Sequence, residues 1–218
     1  MTFVDDLATR LAPAGLNLFG VAPPAELLPL HPAARSIVVV GSGGRAHWDA
    51  FLRYVAGEPI KRLARRAHPL DDFCADVFAA TALPGCRVVF PTFRAEVRVD
   101  FMTLSERAGL GRRSELGLLV HEHYGPWWAL RAAVFTPESL PPGALARRMC
   151  DGCDAPCLQN LPPGLAVPAM HPPARLACVV GPEHAYDELE RIYHYDRARG
   201  RRLLCERFGV RDEIEVAR

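Results

Sequence analysis

The chain has 218 residues, half of them hydrophobic, with 26 basic against 25 acidic side chains and a net charge of +1 at neutral pH. At about 150 residues per domain, that length gives one sizeable hydrophobic core with a small appendage rather than two large domains. The composition excludes intrinsic disorder, and the balanced charge excludes a strongly electrostatic nucleic-acid binder. No apolar run approaches the roughly 20 residues of a membrane-spanning helix, and the opening MTFVDDLATR carries acids where a signal peptide carries positive charge. A cytoplasmic protein without a membrane partner is the expectation. Seven cysteines, three of them within eight residues, suit metal ligation in a reducing compartment better than a disulfide framework.

Taken in chain order, Thr2 and Asp5 have capping-box spacing, with Leu7 and Leu11 on one helical face, which predicts a helix over 3–12. Pro23, Pro24, Pro29 and Pro32 exclude a regular helix in the next segment, and Ser36 to Gly41 reads as a buried strand followed by a loop of Gly41, Gly43 and Gly44. Helical spacing returns over 47–63 (Trp48, Phe51, Leu52, Val55) and after Pro69 (Leu70, Phe73, Cys74, Val77, Phe78). Strand candidates follow at 86–90, 97–99, 116–120 and 129–135, the last pair joined by a turn containing Gly125-Pro126. Proline and glycine dominate 137–173, and the tail from Glu183 onward predicts one closing helix carrying Leu189, Ile192 and Tyr193. The fold class is α+β: a layered α/β/α domain over 1–137, then a cysteine-loop appendage and closing helix over 138–218.

The sharpest chemical feature is Cys150-Asp151-Gly152-Cys153-Asp154-Ala155-Pro156-Cys157. Thiolates two and three residues apart on a loop turn to a common side and can wrap one metal centre. Compared with a bacterial ferredoxin loop, one extra residue precedes the third cysteine, and Leu161 stands where a fourth cysteine would precede Pro162. A fourth ligand therefore comes from elsewhere, with Cys178 the first candidate and His171 the second. Sulfur-rich sites suit an iron-sulfur cluster or zinc, and the bland alternative is a remnant with free thiols. Cys74 and Cys86 lie in apolar surroundings and read as packing residues.

The second feature is Ala108-Gly109-Leu110-Gly111, then Gly117-Leu118-Leu119-Val120-His121 and Tyr124-Gly125-Pro126. Glycines before a strand let backbone amides approach a ligand, although loop glycines are more often turn residues. His121 and His123, alternating on a strand end, are expected to face opposite sides. Arg147-Arg148 and Arg201-Arg202 read as solvated charges, and Tyr186, Tyr193, His194 and Tyr195 as packing of the closing helix.

These glycine, histidine and Gly-Pro runs, with Ala34-Arg35-Ser36-Ile37-Val38-Val39-Val40-Gly41 before them and Ala174-Arg175-Leu176-Ala177-Cys178 after the cysteine loop, resemble the corrinoid-dependent reductases, that is, epoxyqueuosine reductase and the reductive dehalogenases. The resemblance implies a nitroreductase-like, cobalamin-binding domain followed by a ferredoxin-like segment whose iron-sulfur clusters feed electrons to cobalt. It places Gly109, Gly111, Gly117, His121, Tyr124, Gly125 and Pro126 against the corrinoid, and Cys150, Cys153, Cys157 and Cys178 at cluster-ligand positions. It sets Asp100 where the family carries a proton-donating aspartate, with a shorter run to Gly109; burial statistics alone read Asp100 as an exposed strand-end residue. The sequence departs from the family where Ser114-Glu115 replaces glycine followed by a basic residue, and a second cysteine set has no counterpart because Cys205 stands alone.

The function implied is a cobalamin-dependent oxidoreductase acting on a small molecule or nucleoside, supplied by an electron-donor protein. The alternatives are a cobalamin carrier or processing protein on the same scaffold and a zinc-stapled protein without catalysis. Folds of this class often pair, so a homodimer is compatible with the resemblance.

Overall fold

The structure, a computed structural model, describes residues 1–24, 31–91, 99–159, 161–162 and 171–214. Pro29 and Val97, which enter two of the expectations above, lie outside the described residues. Helix α1 (Phe3–Leu11) starts where the capping box places it: the Asp5 amide donates to Thr2 Oγ1, and the Thr2 amide donates back to the Asp5 carboxylate at 2.8 Å. Satisfying these end groups locally fixes the first turn, and the apolar face then buries Leu7 and Leu11.

Strand β1 (Leu18–Ala22) pairs antiparallel with β2 (Ser36–Gly43). All eight residues of β2 are buried. Val38 and Val40 enter one core cluster while Ile37 and Val39 enter the other, which is why the strand reads as a continuous apolar run: both its faces are covered. Gly41 and Gly43 belong to this strand rather than to a following loop. The run over 47–63 divides at Pro59 into α2 (Ala46–Gly57) and α3 (Pro59–Leu63), because proline has no N–H to continue a helix and suits the first position of a new one. Helix α4 (Pro69–Thr81) and strand β3 (Arg87–Val89) then follow as the periodicity predicts.

Helix α5 (Phe101–Arg107) precedes a two-stranded ribbon of β4 (Arg112–Arg113) and β5 (Leu119–Val120), and β6 (Trp128–Thr136) completes the main sheet. That sheet has the order β1-β2-β6-β3, and every neighbouring pair is antiparallel. The strand expected over 116–120 is thus shorter and belongs to the ribbon, not to the sheet containing β6. Gly117 closes the ribbon turn by donating to Ser114 O at 2.9 Å, which consumes the first residues of the run.

Two short helices, α6 (Pro156–Gln159) and α7 (Pro172–Leu176), interrupt the proline-rich segment. The single closing helix is two: α8 (Glu188–Tyr195) is capped by Asp187, and α9 (Arg197–Arg207) by Asp196, each carboxylate accepting from the amide three residues on. Tyr193, Leu204 and Cys205 join the cluster formed by α1, α2 and α4 on one sheet face; α5 and the ribbon cover the other face. Arg201 is not a solvated charge. It is buried, ion-pairs with Asp212 and donates to Leu63 O at 2.7 Å. The architecture is α+β, and among the described residues no helix is long and apolar enough to cross a membrane.

Candidate functional site

Asp100 is the N-cap of α5 rather than a strand end. Its carboxylate accepts from Thr103 N at 3.0 Å and Thr103 Oγ1 at 2.6 Å, and Arg113 lies 3.5 Å away. The hydrogen bonds from Thr103, with help from Arg113, hold its pKa below the ordinary carboxylate value. A general acid needs the opposite shift.

At three of the four motif glycines, the side on which a Cβ would project is filled by this chain's own backbone. A Cβ on Gly109 would meet Ala144 O at 2.1 Å, one on Gly111 would meet Val120 O at 2.8 Å, and one on Gly125 would meet Val180 O at 1.8 Å. Close internal approach explains these residues before any ligand is invoked. Gly117 differs: its φ is +76° with open space beside it, the position of an exposed ribbon turn.

The segment after β5 curls back on itself through the His121–Gly125 bridge, so strand alternation does not apply there. The rings of His121 and His123 both pack on Tyr124, at 5.3 and 4.6 Å between centroids, and His184 reaches the same ring at 4.7 Å. His121 Nδ1 accepts from His123 N at 3.0 Å and Tyr124 N at 3.3 Å. The ring proton is therefore on Nε2, which makes His121 a donor and not a free lone pair for a metal. Burial holds its pKa below the ordinary histidine value.

Cys150, Cys153, Cys157 and Cys178 line one small cavity of about 20 Å³. The other wall of that cavity comes from the segment between and beside the motif glycines, through Ser114, Glu115, Val120 and Pro126. Glu115 accepts from Arg148 Nη2 at 2.6 Å, so the residue that departs from the family's basic position ties the motif to the cysteine loop. Burial raises the thiol pKa of Cys157 and Cys178, and the neighbouring thiols push in the same direction. His171 is not among the lining residues; it caps α7 by accepting from Ala174 N at 3.3 Å. Among the described residues no group of three or more His, Cys, Asp or Glu side chains is drawn together tightly enough to hold a metal ion. By chemistry alone, four soft sulfurs lining one apolar space are a donor set that suits zinc or iron.

Behind this cavity lies a polar layer absent from the sequence reading. Arg175 is buried, donates to Pro126 O and Tyr195 Oη, and places its guanidinium 4.7 Å from the ring centroids of both Trp127 and Tyr186. Arg131, Glu190 and His47 are buried on the helical side of β6. The one available signal was Arg131 itself, a charge in the otherwise apolar run Trp128 to Phe135.

The mixed α+β architecture has counterparts among solved structures. The chain is similar to the B12-trafficking protein CblC of C. elegans, a homologue of human MMACHC, with a TM-score of 0.63 and 12% identity over 92% of this chain and 93% of that one. It is also similar to epoxyqueuosine reductase from Streptococcus thermophilus, with a TM-score of 0.51 and 11% identity over 94% and 79% of the two chains. A selenomethionine-labelled epoxyqueuosine reductase matches with a TM-score of 0.45 and 16% identity over 72% of this chain, which spans 50% of that chain's length. At these identities the likeness shows a shared fold. No family model matches the chain, and no curated protein sequence resembles it.

Proposed function

We propose that the protein binds a corrinoid and carries a thiolate-held metal centre beside it. The observation that carries this reading is a cavity at which Ser114, Glu115, Val120 and Pro126, from the segment that carries the glycine motif, face Cys150, Cys153, Cys157 and Cys178. The shared fold with a B12-trafficking protein and an epoxyqueuosine reductase supports it. A bound corrinoid would supply a cobalt centre able to take up electrons, and the protein would supply position and electrostatics. In this arrangement the motif backbone presents the corrinoid surface, and His121 offers its Nε2 proton. The four sulfurs would hold zinc or an iron-sulfur cluster.

Two observations favour handling of the corrinoid over turnover of a small or nucleoside substrate. Asp100 is held ionised as a helix cap, which leaves the family's proton donor without a counterpart in working form. The match to the trafficking protein also covers 93% of that chain, against 79% for the epoxyqueuosine reductase from Streptococcus thermophilus. The reductase reading rests on the four sulfurs, which a carrier does not need.

Anaerobic purification, analysis for iron, zinc and sulfide, and visible spectra before and after adding hydroxocobalamin test both parts. A corrinoid spectral shift with iron and sulfide supports a redox protein. A shift with zinc or without metal supports a carrier. No shift refutes the corrinoid assignment, and metal content unchanged by Cys153→Ser refutes the cysteine centre.

A further inference from the structure

The sulfurs that line the small cavity stand on two separate pieces of chain. Cys150, Cys153 and Cys157 belong to one loop, whose first turn is closed by the Cys153 amide donating to Cys150 O at 3.1 Å. Cys178 belongs to a second segment, a strap that runs from α7 to His184, and its amide donates to Arg175 O at 3.2 Å.

The strap lies directly on the turn from His121 to Pro126, the part of the glycine motif that the corrinoid proposal uses. Arg175, buried in α7, donates to Pro126 O. Val180 lines the cysteine cavity, while its carbonyl fills the place that a Cβ on Gly125 would take. At Gly181, with φ +62°, a Cβ would meet His123 O and Tyr124 C, both at 2.7 Å. His184 then packs on the ring of Tyr124, at 4.7 Å between centroids. Where backbone lies on backbone, no side chain can change rotamer to absorb a shift, so a displacement of the strap passes to the turn. The loop is joined to the motif segment from its own side, through Arg148, which pairs with Glu115 at 2.6 Å and with Asp151 at 3.5 Å. Those ion pairs are half exposed and hold the loop only weakly.

We propose that a metal ion on the four sulfurs clamps the loop to the strap and thereby steadies the turn from His121 to Pro126, so that metal and corrinoid bind cooperatively. The inference rests on the metal centre and the corrinoid face proposed above. Tetrahedral ligation sets each sulfur about 2.3 Å from one point. Zinc held by thiolates joins chain segments strongly enough to fold small domains. A turn that the metal has already ordered costs less to order around a corrinoid. By linkage the effect is reciprocal: the factor by which zinc tightens corrinoid binding is the factor by which the corrinoid tightens zinc binding.

The test uses the full chain, freed of metal under reducing, anaerobic conditions. The probes are zinc ion and methylcobalamin, whose methyl group blocks thiol attack on the upper face of cobalt. Hydrogen exchange needs no corrinoid: the His121 and Gly125 amides, which donate to each other's carbonyls at 2.8 and 2.9 Å, should exchange about fivefold more slowly, or slower still, once zinc is bound. Equilibrium titration should show methylcobalamin bound more tightly with zinc than without it, and zinc bound more tightly by the same factor with methylcobalamin. Gly181→Ala keeps all four sulfurs but pushes the strap off the turn. It should bind zinc and lose both effects while near-ultraviolet circular dichroism stays native. Cys178→Ser, limited to the three loop sulfurs, should bind zinc more weakly and lose both effects too. Zinc bound by the wild type with no change in exchange overturns the coupling and leaves the corrinoid assignment standing. So does full coupling in Gly181→Ala or Cys178→Ser. No methylcobalamin binding in either state refutes the corrinoid assignment instead, and the exchange rates still decide whether the metal holds the turn. No zinc binding at all refutes the cysteine centre and the coupling with it.

Discussion

The ring of Tyr124 packs against the backbone of Gly43, where a Cβ would sit 2.3 Å from the ring carbons. Asn17 fastens the pair: its side-chain amide donates to Gly43 O and to Tyr124 Oη, both at 3.2 Å, and its oxygen accepts from Gly43 N at 2.7 Å. This contact joins the end of β2 to the turn that carries His121 and His123. Gly43→Ala therefore has to expel the ring, and a loss of roughly 2 kcal/mol or more is expected from overpacking. Tyr124→Phe removes only the hydroxyl and should cost about 1 kcal/mol. Urea unfolding of both variants, and of Gly43→Ala combined with Tyr124→Ala, checks this. The double variant should recover part of the Gly43→Ala loss.

Asp100 separates two roles by substitution. As a helix cap, Asp100→Ala should cost about 1 kcal/mol of stability, whereas Asp100→Asn, which keeps an accepting oxygen, should cost far less. If the side chain were a proton donor, both substitutions would abolish activity alike. Thermal unfolding of the two variants, with whatever corrinoid-dependent turnover is found, distinguishes the cases.

The buried polar layer sets a pH optimum for stability. Burial raises Glu190 to about 8. The native state then holds a proton that the unfolded chain releases above its ordinary value of 4.5, so stability falls as pH rises from there to about 8. Burial lowers His47 from 6.5 to about 3, and the unfolded chain binds a proton that the native state refuses, so stability falls as pH drops through that window. Each limb has a limiting slope of about 1.4 kcal/mol per pH unit. The two windows overlap, and burial lowers His194 to about 3 as well, so urea midpoints should rise with pH up to about 6.5 and fall from there to about 8, and Glu190→Gln should flatten that fall.

Arg175 links three segments: α7, the Pro126 carbonyl before β6, and Tyr195 of α8. Arg175→Met keeps much of the apolar stem but leaves a buried carbonyl and a hydroxyl without this donor, an expected loss of about 2–4 kcal/mol. Because Cys178 follows on the same short segment, its protection from alkylating reagents should fall in parallel. A variant with native stability and native Cys178 protection would show that the contact is not a tie.

Several elements were legible before any coordinates. The Thr2–Asp5 capping box, the Ile37 to Val40 run and the helical spacing after Pro69 each encode structure within a few neighbouring residues. The cysteine spacing and the glycine motif were legible for the same reason. The structure then placed the cysteines and the segment carrying the glycine motif on facing walls of one cavity, with a contact joining Glu115 to Arg148, 33 positions apart in the chain.

Strand β1 escaped notice because its five residues carry no alternation; its pairing with β2 makes it a strand. The ribbon around Gly117 and the burial of Arg201 were equally invisible. Each depends on which distant backbone arrives beside the residue. By itself, then, the sequence determined the local elements, the soft-ligand chemistry of the cysteine loop and the resemblance to corrinoid proteins. Only the tertiary structure decided that Asp100 is a cap and that Gly109 and Gly125 yield their space to this chain's own carbonyls. Those outcomes follow from long-range packing and desolvation, and neither has a period that a sequence can display.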